Sequence, residues 1–150
     1  VKPIEPRHYR SIFLALNEAF RDHWGHSEQT SEDDYQRFVN DPQLQPKLWQ
    51  VAFAGYEVAG MVLNYIDTEE NKTYQRLRGY PDPICVRRPW RKQGLASALI
   101  ARSLRLLKER GMTEAALGVD SENPNGAFNI YQNLGFQPVQ RSASYRKPIE

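Results

Sequence analysis

The sequence predicts a mixed α/β domain with a largely antiparallel central sheet of about six to seven strands and four helices. Three observations carry this. Apolar residues recur at helical spacing in four stretches. Shorter runs between them alternate or stay apolar at strand length. A strand, crossover helix, strand order occurs twice in the second half, so part of the sheet is parallel, whereas a hairpin in the first half makes the rest antiparallel. The chain has 150 residues, which suits one domain, read as spanning 1–150.

In chain order, Lys2 to Glu5 reads as a short edge strand closed by Pro6. Arg7 to Arg21 reads as a helix with Ile12, Leu16, Ala19 and Phe20 on one stripe. Asp22 to His26 breaks it. Ser31 then caps a second helix, with Asp34 three residues on as a capping-box partner and Tyr35, Phe38 and Val39 as the apolar face. Asp41-Pro42 ends that helix. Leu48 to Ala54 alternates at strand period, Ala54 to Glu57 turns, and Val58 to Ile66 returns. Asp67 to Gly79 is polar and reads as a long loop. Asp82 to Arg87 is a short apolar strand. Gly94 to Arg110 is the strongest helix, with Leu95, Leu99, Ile100, Leu104, Leu106 and Leu107 forming a wide stripe and Gly111 as its stop. Thr113 to Asp120 is a strand, Asn125 to Leu134 a helix, and Phe136 to Arg146 one or two final strands.

Composition excludes several classes. Lys plus Arg is 20 and Asp plus Glu 18, a net charge of +2, so global charge points to no nucleic-acid partner. Cys85 stands alone, which excludes a disulfide framework and an all-cysteine zinc site and fits a reducing compartment. No apolar run reaches the roughly 18 residues that cross a membrane. The first residues show no signal-peptide pattern. A cytoplasmic location and no metal follow as expectations.

The chemistry concentrates in Val86-Arg87-Arg88-Pro89-Trp90-Arg91-Lys92-Gln93-Gly94-Leu95-Ala96, between an apolar strand and the strongest helix. Four of the six residues from Arg87 to Lys92 are basic in a nearly neutral chain. A helix start adds unpaired N–H groups and a positive dipole end, so the segment forms an anion cradle. Gly94 permits close backbone approach. The pattern is neither a P-loop nor a dinucleotide-fold fingerprint. Arg87, Arg88 and Lys92 are equally readable as solvated surface charge.

Arg91-x-x-Gly94-x-Ala96 after an apolar strand resembles the pyrophosphate loop of the GCN5-related N-acetyltransferases. Downstream, Asn123-Pro124, Ala127 and Tyr131-Gln132-Asn133-Leu134-Gly135-Phe136 are similar to that family's Asn, Ala and Tyr-x-x-Leu-Gly-Phe segment. The interval from Asn123 to Tyr131 is one residue longer than the commonest spacing, so Asn123 and Asn125 compete for the asparagine place. Ala19-Phe20-Arg21-Asp22-His23-Trp24-Gly25-His26, with Asn64-Tyr65-Ile66 and the following loop, resembles the mycothiol synthase-like branch. Proteins of that branch carry two such domains. The sequence does not begin with Met, so it is expected to be one half, the C-terminal one, of a tandem protein, partnered by a sister domain or by a second copy.

The resemblance implies acetyl-CoA as cofactor and the primary amine of a small molecule as acceptor. It implies cofactor contacts from Cys85, Val86, Arg87, Arg91, Lys92, Gln93, Gly94, Leu95, Ala96 and Ser97, and from Asn123 or Asn125. It implies that a backbone N–H on the Ile84–Val86 strand polarises the thioester carbonyl, and that Tyr131 protonates the departing thiolate. His23, Trp24 and His26 are expected over the acceptor. A neutral amine is required for attack, so a base or a water path must take its proton. Asp82, Glu69 and Glu70 are the candidate bases, Asp82 foremost. Tyr131 also fits a half-buried core tyrosine, and an acetyl-CoA-binding but catalytically weak half is the alternative function.

Overall fold

The structure is a computed structural model and describes residues 1–20, 31–42, 44–117, 131 and 133–136. Helix α1 (Tyr9–Phe20) follows a single tight turn at Pro6–His8. Proline suits a helix start because the missing N–H would have had no partner there. Lys2 to Glu5 forms no strand. Pro3 has no N–H to donate to a neighbouring strand, and the Lys2 ammonium instead lies 4.4 Å from the centre of the Phe53 ring. Helix α2 (Glu32–Val39) starts at the capping box its sequence predicts: the Asp34 N–H donates to Ser31 Oγ at 3.1 Å and the Ser31 N–H to Asp34 Oδ2 at 3.3 Å. Phe13 of α1 meets Tyr35 and Phe38 of α2 at ring-centre distances of 5.4 and 5.3 Å.

Strand β1 (Gln50–Ala54) begins later than the alternation suggests, because Pro46 starts a tight turn through Leu48 and the Trp49 N–H closes back on the Pro46 carbonyl at 3.2 Å. β1 pairs with β2 (Glu57–Val62) as an antiparallel hairpin, with Ala54 opposite Glu57 and Gly55 at φ +64° in the turn. Beyond Val62 the same run pairs onward through Tyr65, whose N–H and carbonyl exchange bonds of 3.0 and 2.9 Å with Tyr80.

Within the predicted long loop lies a helix, α3 (Thr68–Tyr74). Asp67 caps it by accepting the Glu70 N–H at 3.0 Å, and Gln75 in the left-handed region ends it. Its buried residue is Asn71, which donates to the Arg78 carbonyl at 3.0 Å. A helix that buries an amide shows no apolar stripe, which is why periodicity misses it.

β3 (Arg78–Gly79) and β4 (Ile84–Val86) are two parts of one run with different partners. β3 pairs in parallel with β5 (Glu114–Ala115), and β4 pairs antiparallel with β2. The described strands therefore make a three-stranded sheet ordered β1-β2-β4 and a two-stranded one, β3-β5. That is fewer strands than predicted; the later part of the Thr113 to Asp120 strand and the final strands lie outside the described residues, as does most of the Asn125 to Leu134 helix. Helix α4 (Leu95–Glu109) is the crossover between β4 and β5.

The strand alternation sorts the core onto two faces. Val51, Met61, Leu63 and Cys85 meet Ile12 and Ala15 of α1. Ala52 and Val62 meet Leu99 and Ile100 of α4. Fully buried Asn64 fastens α4 further: its amide donates to the Leu48 carbonyl at 2.8 Å and to Ser103 Oγ at 2.9 Å. Gly60 sets how closely the start of α4 sits on the sheet. A Cβ there would stand 3.1 Å from the Cys85 carbonyl oxygen and 3.1 Å from Leu95 Cδ2. Gly60→Ala is expected to lower the unfolding free energy by about 1–3 kcal/mol, the usual cost of overpacking. Urea denaturation measures this, and unchanged stability would refute the close seating.

Candidate active site

The approach to α4 leaves its first turn bare. The chain leaves β4 through a tight turn at Arg88–Trp90, is extended at Arg91, and takes positive φ at Lys92 (+63°) and Gly94 (+81°). Gly94 is the N-cap residue and offers no side-chain acceptor. Ala98 makes the first helical bond, to the Gly94 carbonyl at 3.1 Å. The N–H groups of Leu95, Ala96 and Ser97 therefore have no acceptor within the helix. Space beside Gly94 is open, since a Cβ there would meet nothing within 4 Å. Lys92, Gln93 and Gly94 are exposed. Bare N–H groups, a positive dipole end and adjacent cations suit a phosphate-bearing anion.

The second part is an edge of β4 that no described strand pairs with. Met61 faces Cys85 in the ladder, with the Pro83 carbonyl accepting from Leu63 N–H at 3.0 Å and the Arg87 N–H donating to the Ala59 carbonyl at 2.9 Å. Antiparallel pairing alternates, so residues 83, 85 and 87 face β2 while Ile84 and Val86 turn their backbone groups away from it. The Val86 carbonyl accepts from Arg91 Nε at 2.8 Å, which ties the basic loop to this edge. On the far side, bonding between the β3 and β5 runs reaches the Ala116 N–H, which donates to Gly79 at 3.0 Å. Among the described residues no strand pairs with that edge of β4. Val86 thus presents an N–H beside the bare start of α4. Cys85, by contrast, has its backbone in the ladder and its side chain in the core.

Tyr131 packs with Ile84 and Leu95 against the cluster of Val62, Leu99 and Ile100. Burial, and then the nearby Asp82 and Cys85, push its hydroxyl up to about 12. Burial likewise pushes the Cys85 thiol up to about 12, with Asp82 adding and Arg91 opposing. Tyr65 is also raised, by burial first and then by Asp82. Asp82, Cys85, Arg91 and Tyr131 therefore share one electrostatic neighbourhood at β4, and it includes the two predicted catalytic residues.

Arg87, expected to contact the cofactor, is held by groups of the fold. Its guanidinium pairs with the Glu18 carboxylate of α1, donates from Nη1 to the Val58 carbonyl at 3.0 Å and lies 5.3 Å from the centre of the Trp90 ring. Glu70, an alternative base, is also engaged. It accepts from the Tyr80 hydroxyl and from Arg76 Nη2, the latter at 2.6 Å. The Tyr80 hydroxyl first, and Arg76 next, hold its carboxyl below the usual range, which makes it a poor proton acceptor. Glu69 is exposed on α3. The rings of Tyr65 and Tyr80 stack 4.8 Å apart, a meeting that depends on register between distant strands and leaves no local pattern. His23, Trp24, His26, Asn123 and Asn125 lie outside the described residues. Among the described residues no three His, Cys, Asp or Glu side chains converge as a metal site.

Among the described residues, the start of α4, which lacks a side-chain cap, lies beside an edge of β4 with which no strand pairs. The sequence model of the acetyltransferase (GNAT) family matches residues 9–136, and the chain belongs to that family. It is 31% identical over 119 residues to N-alpha-acetyltransferase MAK3 of Arabidopsis thaliana, covering 79% of this chain and 58% of that protein. It is 29% identical over 154 residues to the mycothiol acetyltransferase of Thermobispora bispora, covering 98% of this chain and 49% of that protein. The chain thus spans about half the length of these two relatives. In fold it matches the aminoglycoside acetyltransferase AAC(6')-Iy, solved with a bisubstrate analogue containing CoA, with a TM-score of 0.66 at 20% identity over 99% of this chain and 97% of that one.

Cys85 is expected to resist alkylation. Its side chain is 4% exposed and its thiol stays protonated up to pH of about 12, so thiolate is scarce at pH 8. Mass spectrometry after iodoacetamide treatment of the native protein should show no adduct, and unfolding in guanidinium should release one. Rapid native modification would contradict this placement.

Proposed function

We propose that this chain is an acetyl-CoA-dependent N-acetyltransferase that acetylates a primary amine by direct attack. One observation carries the reading: among the described residues, the start of α4 without a side-chain cap adjoins an edge of β4 with which no strand pairs, and the Arg91 to Val86 bond joins the two. That arrangement suits the cofactor, since a Cβ at Gly94 would meet nothing within 4 Å and the N–H groups of Leu95, Ala96 and Ser97 have no acceptor within the helix. When bound, acetyl-CoA supplies an activated acetyl group and a thiol leaving group.

The roles of the chain's own groups follow. The N–H groups of Leu95, Ala96 and Ser97 hold the diphosphate, with Arg91, Lys92 and Gln93 around it. The Val86 N–H orients the thioester carbonyl, and Cys85 packs beneath the strand that presents it. Asn123 or Asn125 extends the cofactor contact. Tyr131 keeps its proton throughout the physiological range, because burial disfavours the phenolate, so it is equipped to donate to the leaving thiolate. Asp82, in the same neighbourhood, receives the proton of the attacking amine. His23, Trp24 and His26 contact the acceptor. Ordering both substrates on one rigid edge removes much of the barrier without a covalent enzyme intermediate.

The acceptor we favour is a small-molecule amine, supported by the match of nearly the whole chain to a mycothiol acetyltransferase. The second reading is the α-amine of a protein N-terminus, supported by the 31% identity to N-alpha-acetyltransferase MAK3. The test measures thiol release from acetyl-CoA with panels of small amines and of peptides with free N-termini. Turnover on one panel decides between the two readings. Acetyl-CoA binding with no turnover on either would support a catalytically weak half. Tyr131→Phe is expected to lower kcat by about 100-fold, the scale of a lost general acid. Because the Tyr131 hydroxyl ionises only near pH 12, the wild-type rate should show no alkaline loss from this group below about pH 11. Full activity of Tyr131→Phe would remove Tyr131 from the mechanism.

A further inference from the structure

We propose that Glu18 is a positioning residue for the loop between β4 and α4, acting through Arg87. The inference rests on the reading of residues 91–97 as the diphosphate cradle. It replaces the expectation that Arg87 itself touches the cofactor.

Arg87 stands where the chain leaves the sheet. Its N–H closes the ladder on the Ala59 carbonyl at 2.9 Å, and its own carbonyl accepts from the Trp90 N–H at 3.0 Å. Its side chain grips three elements. Nε and Nη2 meet the Glu18 carboxylate, the latter at 3.5 Å, Nη1 donates to the Val58 carbonyl of β2 at 3.0 Å, and the guanidinium lies over Trp90 in the departing loop. One group therefore fixes both the point and the direction of departure. The loop then has little freedom before it is tied again, at Arg91 to the Val86 carbonyl.

Glu18 anchors the grip from the other side of the sheet. α1 packs against the face that carries Met61 and Cys85, and α4 against the face that carries Ala52 and Val62. Arg87 thus links Glu18 to the start of the loop. The pair is partly shielded, with side-chain exposures of 22% for Arg87 and 39% for Glu18, so salt screens it less than a surface bridge. The Arg10–Glu32 bridge from the same helix is 54% and 62% exposed and makes no contact with the loop, so it serves as a control. Without its carboxylate partner, the Arg87 guanidinium keeps one bond to a carbonyl and an aromatic face, and both leave it free to reorient.

The experiment compares Glu18→Gln, Arg87→Met, the double variant, the charge exchange Glu18→Arg with Arg87→Glu, and Glu32→Gln. Hydrogen exchange of residues 88–97 is measured in the ligand-free protein, and coenzyme A affinity by calorimetry. Glu18→Gln and Arg87→Met should each speed exchange in the loop and weaken coenzyme A binding by about three- to tenfold, the range of coupling between contacting groups. The double variant should bind no more weakly than either single one, the charge exchange should recover part of the loss, and Glu32→Gln should change neither readout. Wild-type loop exchange in Glu18→Gln overturns the proposal, and this readout decides even where Arg87→Met fails to fold. Additive losses in the double variant also overturn it, because Arg87 would then contact the cofactor directly. A wild-type protein that does not bind coenzyme A counts against the cofactor reading alone, and loop exchange still decides the role of Glu18.

Discussion

Antiparallel register between β2 and β4 decides which backbone groups this protein can offer to a ligand. With Met61 opposite Cys85, the groups of residues 83, 85 and 87 are consumed by the ladder, and those of Ile84 and Val86 are turned outward. A shift by one residue would reverse this and bury the Val86 N–H. Everything around the strand defends that register. Gly60 lets Leu95 and the first turn of α4 close down onto it. Asn64 bonds both to the Leu48 carbonyl and to Ser103, which fixes α4 along the sheet. Cys85 and Met61 fill the face toward α1.

Once the register is set, the site follows with few added parts. A glycine N-cap with no side chain leaves three N–H groups for a ligand, where serine or aspartate would have satisfied one of them. Arg91 spans from the loop to the Val86 carbonyl at 2.8 Å, which ties the start of α4 to the edge of β4. The apolar setting that stabilises the core also adjusts the chemistry. Burial keeps both the Cys85 thiol and the Tyr131 hydroxyl protonated, which leaves the thiol unreactive and suits the phenol to the donor role proposed for it.

How much of this the sequence disclosed depended on the range of the interaction. The Ser31 capping box and the bare start of α4 at Gly94 are local patterns, and both stand as predicted. The hairpin turn at Gly55 is local too. Helix α3 escaped because it buries Asn71 where a periodic helix would bury leucine. Lys2 to Glu5 had the look of a strand but no pairing partner. At the candidate site, the basic run before Gly94 and the helix start it leads into are local features, and their role as a cradle stays a proposal. The pairing of Arg87 is not local, since its partner Glu18 lies 69 residues away and charge alone does not say which anion a guanidinium meets. Glu70, a candidate base by sequence, is held by Tyr80 and Arg76, contacts that no local pattern discloses.

In the proposed function, the Val86 N–H and the first N–H groups of α4 form one continuous ligand surface. Titration of 15N-labelled protein with coenzyme A, followed by backbone amide NMR, tests it most directly. The largest saturable shifts should fall on Val86, Leu95, Ala96 and Ser97 together, with α2 (Glu32–Val39) unmoved. Saturable binding whose largest shifts lie elsewhere, or no shift at millimolar coenzyme A, would contradict it.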